Sequence, residues 1–297
     1  MKGGPKSSKT GIGIPARFIY NRSVPELPEV ETIAASLRPK IVGRRIAEVR
    51  LLLPKLLRGD PAGLRMFRGR RIEDVRRRGK MLLVSGEGGV HLLFHLKMTG
   101  QFHWAAPRTP VDAHTRLRMA FRGGGPELRF RDIRKFAVLR ILATDRPLES
   151  EALRILGPEP LETGPAEFGR LLRKRKGRLK SLLLNQAFLA GIGNIYADEI
   201  LFDAGLHPLR PAGSLTAAET RRLAASVRKI LEAAVAAGGS SIRDYKDADG
   251  LDGLFQHAHR VYGRKGEPCL RCGEAVRRRV IGGRSSFYCP RCQKDRA

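Results

Sequence analysis

Cys269-Leu270-Arg271-Cys272 and, after sixteen intervening residues, Cys289-Pro290-Arg291-Cys292 decide how the end of this chain folds. Two thiolates separated by two residues can meet one tetrahedral ion across a tight turn, and a β-hairpin brings two such turns together. A pair of disulfides is the rival reading. The sequence carries no secretory signal, so the thiols are expected to stay reduced. The expectation is one structural zinc ion held by Cys269, Cys272, Cys289 and Cys292. Between the knuckles lie Arg277-Arg278-Arg279 and then Gly282-Gly283-Arg284, so the two glycines make a hairpin tip from which Arg284 projects. From Arg260 to Ala297 there are eleven Lys+Arg against three Asp+Glu. A ribbon so charged is expected to touch nucleic acid.

The whole chain repeats that bias. Its 297 residues hold 57 Lys+Arg and 29 Asp+Glu, a net charge of +28. A single-sign excess this large repels itself unless a polyanion neutralises it. An arginine-preferring genome or a solubility charge is the bland alternative. A membrane surface would call for a basic amphipathic helix with bulky aromatics, which the sequence lacks. No apolar run of about 18 residues is present either, which excludes a transmembrane helix.

Upstream, the apolar pattern changes period twice. Residues 1–24 contain five basic residues and no acid, with scattered Gly, Ser and Pro, and read as a disordered tail. Pro25-Glu26-Leu27-Pro28-Glu29 opens a helix whose apolar face is Val30, Ile33, Ala34 and Leu37, with Pro39 as its expected stop. From about 45 to 142 the pattern is that of strands. Met81-Leu82-Leu83-Val84 and Val90-His91-Leu92-Leu93-Phe94 flank a glycine-rich turn, and Leu117, Met119 and Phe121 alternate with polar residues. Beyond Leu148 the period is 3.6. Thr216 with Glu219 makes a capping box for a helix over 215–237 ended by Gly238-Gly239. Ala190-Gly191-Ile192-Gly193-Asn194 precedes another helix and is a place where amides can face a phosphate, or simply a tight helix–helix turn. The fold class is α+β: an N-terminal β-sandwich with an entry helix over 25–150, a helical domain over 151–258 and the zinc ribbon over 259–297.

Four segments in this order, Pro25-Glu26-Leu27-Pro28-Glu29-Val30-Glu31-Thr32, Gly191-Ile192-Gly193-Asn194-Ile195-Tyr196-Ala197, Val261-Tyr262-Gly263-Arg264-Lys265-Gly266-Glu267-Pro268-Cys269 and the four-cysteine ribbon, resemble the bacterial formamidopyrimidine-DNA glycosylases. The likeness covers everything after the tail. It implies a β-sandwich domain, a helix–two-turn–helix domain and a zinc finger. It also implies removal of 8-oxoguanine and ring-opened purines from duplex DNA, followed by strand cleavage through β,δ-elimination. By the resemblance, Pro25 matches the N-terminal proline whose secondary amine attacks the sugar C1′ and forms an iminium. A free α-amino group has a pKa near ~8, so part of it is unprotonated at neutral pH. Glu26 matches the carboxylate that shuttles protons, and Glu29 its supporting acid. Lys80 matches the lysine of phosphate binding and β-elimination, and Arg284 the arginine of δ-elimination. Asn194 and Tyr262 match phosphate contacts, and Arg175 another DNA-contacting position. Met98, Arg134 and Phe136 match the trio that fills the gap left by the extruded base. Arg243 stands where the lesion-capping loop begins. Four of these have a plain structural alternative: Glu26 a helix-start acid, Lys80 a strand-end lysine, and Met98 and Phe136 core residues.

The sequence departs from the family pattern at Lys97, where a glycine is usual before the Met, at Lys135 and Ala137 around Phe136, and at Asp112, where a histidine is common. The tail is the largest departure, because a proline inside a chain has no amine. Pro25 can act only if residues 1–24 are absent from the mature enzyme, and Val24 as the true initiator is one explanation. The expected partner is double-stranded DNA carrying oxidised purines or abasic sites, met by a monomer in the bacterial cytoplasm at the nucleoid. Two other readings stand: an endonuclease VIII-like enzyme for oxidised pyrimidines, and a non-catalytic zinc-ribbon DNA-binding protein.

Overall fold

The apolar alternation after residue 45 folds into two facing sheets. The computed structural model describes residues 24–242 and 245–295. Helix α1 (Leu27–Ile41) leads into β1 (Ile46–Leu51), β2 (Leu57–Arg58), β3 (Ile72–Arg78), β4 (Met81–Gly86), β5 (Val90–His95), β6 (Gly100–Ala105), β7 (Thr115–Phe121), β8 (Glu127–Asp132) and β9 (Val138–Ala143). One sheet has the order β1-β7-β8-β6 and the other β2-β9-β5-β4-β3. Pairing is antiparallel except for the short β2–β9 ladder. Inward side chains of both sheets meet at Phe94, Phe102 and Phe130, whose ring centroids lie 5.0–5.3 Å apart.

The helical part follows as α2 (Glu151–Arg154), α3 (Pro165–Arg173), α4 (Leu179–Leu184), α5 (Asn194–Asp203) and α6 (Ala217–Ala236), and the ribbon as β10 (Arg277–Ile281) and β11 (Arg284–Tyr288). Thr216 caps α6 and Glu219 completes the box. At the ribbon tip Gly282 and Gly283 have φ of 55° and 72°, the left-handed pair that a two-residue type I′ turn needs. Helix α1 does not stop at Pro39 but runs two residues further. The cost is local: Pro39 forfeits its own bond to the Ala35 carbonyl, while Val42 N still donates to Arg38 O (3.1 Å) and closes the last turn.

α1 also joins the two cores. Leu27, fully buried, packs with Ile192, Ile195, Tyr196 and Leu231 in the helical core, whereas Val30, Ile33 and Leu37 pack into the sandwich. Full burial of a leucine side chain stabilises by about 1.5–3 kcal/mol, so the helix start is held at the seam. The ribbon belongs to the helical core through Val276, Phe287 and Cys289. Among the described residues no helix is long and apolar enough to cross a membrane.

Candidate active site

The first turn of α1 carries two buried acids, Glu26 and Glu29. The Glu26 carboxylate accepts from the backbone N–H of Gly193 (2.7 Å), Ile195 (2.9 Å) and Tyr196 (3.4 Å). It thus occupies the N-terminus of α5, where unpaired amides and the helix dipole favour an anion. The glycine loop 191–193, read from sequence as a possible phosphate cradle, presents these amides to Glu26 instead. Glycine is required there, since a Cβ on Gly193 would lie 2.3 Å from Glu26 Cδ and one on Gly191 2.7 Å from Leu27 Cβ.

Glu29 has a different set of partners. Its carboxylate accepts from Glu26 N (2.8 Å), Ser240 N (2.7 Å) and the hydroxyl of Tyr196. Tyr196 Oη lies 3.3 Å from Ser240 Oγ, which lies 3.1 Å from His259 Nε2. Burial, with the charge of Glu26 added, pushes the Glu29 carboxyl up to about 7. Burial also raises Glu26, against the pull of Lys80 and the three amides. Pro25, buried beside Glu26, is joined to Val24 in the chain as written.

Lys80 enters from the β3–β4 turn. Burial holds its ammonium below the usual lysine range, Glu26 and Glu29 pull it back up, and Arg284 adds like charge. These four groups therefore share one electrostatic site. The turn is clamped by Glu159, whose carboxylate accepts from Arg77 Nη1 (2.6 Å), Arg78 Nη1 (2.9 Å) and Gly79 N (2.7 Å). Asn194 donates from Nδ2 to the carbonyl of Ser285 (2.9 Å), next to Arg284, and its buried Oδ1 has no protein partner. Lys80, Asn194 and Arg284, far apart in sequence, are thus brought to one place.

Met98, Arg134 and Phe136 also come together. Arg134 Nη1 lies 3.0 Å from Met98 Sδ, and the guanidinium sits 4.7 Å from the Phe136 ring centroid. Phe136 is 49% exposed, so it is no core residue. Asp132 ties the two loops together, accepting from Thr99 Oγ1 (2.5 Å) and Ala137 N (2.8 Å), while Arg134 N donates to Thr99 Oγ1 (3.1 Å). Lys97 and Lys135, the two departures beside Met98 and Phe136, both have left-handed backbone, φ 54° and 59°. Asp112 closes its own turn, accepting from His114 N (2.7 Å) and Thr115 Oγ1 (2.8 Å).

Other positions lie apart. Arg175 is half-buried in the basic α3–α4 loop. The Tyr262 ring is buried edge-on against His259 and Phe287, 5.6 and 5.3 Å away, and its amide donates to Glu199 (2.8 Å). Arg243 falls outside the described residues. Sequence reading missed His95, Asp132, Glu159 and the fully buried pair Lys180–Asp198 (2.7 Å). His95 Nδ1 accepts from Lys97 N (3.1 Å), which leaves Nε2 to carry the proton. Burial, then Lys97 and Lys80, holds the ring neutral, with its pKa down at about 3. A histidine ending a strand three residues before Met98 was the available signal. Asp198 accepts from Phe287 N (3.0 Å) as well as Lys180, which pins β11 to α5.

The four cysteine Sγ atoms lie within 4.8 Å of one another, with Cys269–Cys292 at 3.9 Å and Cys272–Cys289 at 3.5 Å. Zinc–sulfur bonds of about 2.3 Å in a tetrahedron place sulfurs about 3.8 Å apart, so the set fits one zinc. Gln293 braces the second knuckle, accepting from Cys289 N and donating to Leu206 O, both at 2.9 Å.

Residues 24–139 match the model of the formamidopyrimidine-DNA glycosylase N-terminal domain, 156–246 that of the H2TH domain, and 266–294 a zinc finger found in FPG and IleRS. A formamidopyrimidine-DNA glycosylase of Desulfitobacterium hafniense is 44% identical over 274 residues, 91% of this chain and 100% of that one. A crystal structure of a Lactococcus lactis FPG mutant with a Fapy-dG containing DNA has a TM-score of 0.85 at 35% identity, covering 91% and 100% of the two chains. A structure of MutM with carbocyclic 8-oxo-G containing DNA gives 0.84 at 35% identity, with the same coverage.

Proposed function

The chain belongs to the formamidopyrimidine-DNA glycosylase family, and from that membership we propose a chemistry for its own residues. The substrate is duplex DNA bearing an oxidised purine, either 8-oxoguanine or a formamidopyrimidine. The Pro25 amine attacks C1′ of the extruded nucleotide as the base leaves, and the resulting iminium drives β- and then δ-elimination of the flanking phosphates. Glu26 moves the protons of base loss and sugar ring opening. Its raised pKa suits a group that must both hold and release a proton. Lys80 and Arg284 hold the phosphates that leave, with Asn194 beside them, and Arg175, Arg243 and Tyr262 are further DNA-binding positions. Met98, Arg134 and Phe136 fill the gap in the stack. Zinc, when bound by the four thiolates, keeps the knuckles together and with them the Arg284 hairpin; it takes no part in the bond changes.

One observation carries this reading: Pro25 and Glu26 sit at the seam of both cores, with the carboxylate locked on α5, Lys80 within its field and Arg284 within the field of Lys80. The active form then begins at Pro25, residues 25–150 forming the catalytic domain, 151–258 the helix–two-turn–helix domain and 259–297 the ribbon. Support for that start comes from the family match opening at residue 24 and from the full-length coverage of the relative by 91% of this chain. Such an enzyme works in the bacterial cytoplasm, on nucleoid DNA, as a monomer. Borohydride trapping on an 8-oxoguanine·cytosine duplex tests the reading. A chain starting at Pro25 is expected to form the covalent adduct, and the chain carrying residues 1–24 is not. An adduct of equal yield from both would sink Pro25 as the nucleophile.

A further inference from the structure

The sandwich has two poles, and its own groups assigned to DNA above, Lys80, Met98, Arg134 and Phe136, lie at one of them. Lys80 is in the β3–β4 turn, His95 pairs with Met81, and Gly100 pairs with Asp132 between the loops that carry Met98 and Phe136. The other ends of the same strands meet elsewhere. Ile72 pairs with Gly86, Gly86 with Val90, and Ile46 with Phe121. β3 spans seven residues, so at about 3.3 Å per residue the poles are roughly 20 Å apart.

Six arginines converge on that far pole: Arg44, Arg45, Arg68, Arg70, Arg71 and Arg122. Their contiguity is in the backbone. Arg45 and Arg71 form an isolated bridge between the sheets, Ile46 N donates to Arg70 O (2.8 Å), and Arg122 N donates to Arg45 O (2.8 Å). The side chains crowd the same two glycines, since a Cβ on Gly69 would lie 3.0 Å from Arg122 Nη2 and one on Gly88 2.3 Å from Arg70 Nη1. Arg44 lies over the Phe121 ring at 4.1 Å. Among the described residues, Glu87 is the one carboxylate in ion-pair distance of any of the six, and it pairs with Arg45 (3.0 Å) and Arg71 (3.1 Å). Asp145 reaches Gly89 next to it, while Glu127 at the same pole is taken up by Arg118 and Arg129. The pole therefore keeps a positive excess that no internal partner neutralises.

We propose that this far pole is a second DNA-binding surface, which holds a lesion-free duplex segment while the cleft holds another. Guanidinium forks suit phosphate oxygens, and phosphate contacts need no base sequence. The separation of the poles lets one protein engage two segments and pass from one to the other. The proposal rests on the reading that the opposite pole faces the substrate DNA.

Titration of the full chain with a short lesion-free duplex at low salt counts the sites, without any dependence on catalysis. Two duplexes per chain are expected for the wild type. The double variant Arg70→Ser with Arg122→Ser should bind one, or weaken the second step by tenfold or more. Where that step remains measurable, its salt slope should fall by about 2, at roughly 0.9 per phosphate contact. Single-turnover excision on a short 8-oxoguanine duplex, with both proteins started at Pro25, should be unchanged in this variant. A control that removes equal charge from α6, Arg221→Ser with Arg228→Ser, should keep two duplexes. Saturation of the wild type at one duplex overturns the proposal, as does retention of two by the far-pole variant or loss of the second by the control. Failed excision would count against the Pro25 chemistry and leave the duplex count to judge the far pole.

Discussion

Glu26 and Glu29 are three residues apart in one helical turn, yet they are held for different purposes. Glu26 is held by three amides of another helix, which fix the carboxylate without fixing its proton. Glu29 ties α1, α5 and the segment after α6 together through Glu26 N, Tyr196 and Ser240. Its carboxyl, raised from 4.5 to about 7 by burial and by Glu26, makes folding depend on pH. A carboxyl with a raised native pKa favours the folded state fully below the unfolded value, and the benefit is lost as pH rises through the native value. Relative to Glu29→Gln, the wild type should therefore lose about 3 kcal/mol of stability between pH 4.5 and 7. Denaturant unfolding of both proteins across that range measures it. Parallel pH profiles would show that Glu29 titrates as it does in the unfolded chain.

At the scale of elements, the loops that carry Met98 and Phe136 are built under strain. Lys97 and Lys135 take left-handed backbone where a Cβ costs roughly 1–2 kcal/mol. Asp132 supplies part of the compensation by tying both loops through Thr99 and Ala137. Lys97→Gly should therefore raise stability by about 1 kcal/mol, since glycine takes this conformation freely. The same change removes a cation beside Met98, so DNA affinity should fall while stability rises. Thermal unfolding and duplex binding on one preparation read both effects, and a drop in Tm would refute the strain argument.

For the molecule as a whole, the ribbon is tied to the helix that holds the Glu26 carboxylate. Phe287 N donates to Asp198, Asn194 donates to Ser285, and Val276, Phe287 and Cys289 complete the helical core. Asp198 and Asn194 lie on the helix whose N-terminus holds Glu26. Zinc removal is thus expected to abolish DNA retention and also to speed amide exchange at Gly193, Ile195 and Tyr196, while the β4–β5 amides keep their protection. Hydrogen exchange before and after chelation decides this. Faster exchange confined to residues 266–294 would make the ribbon an independent module.

Short-range spacing alone determined the zinc ligands, the Gly282-Gly283 tip, the Thr216–Glu219 cap and the period-2 strands of the sandwich. Each depends on residues within a turn or a hairpin of one another, where backbone geometry leaves few choices. The resemblance of ordered motifs singled out Pro25, Glu26, Lys80 and Arg284 as a set, and Met98, Arg134 and Phe136 with them. Tertiary structure decided what surrounds them. The amides on Glu26 come from 167 residues away, and Glu159 reaches the Lys80 turn across 80. Asp198 binds the ribbon across 89, and six arginines from three separate segments share a far pole. Such contacts leave no periodic mark, because they arise only when two cores pack against one helix. A buried acid, unlike a buried leucine, shows its role only once its donors are in place.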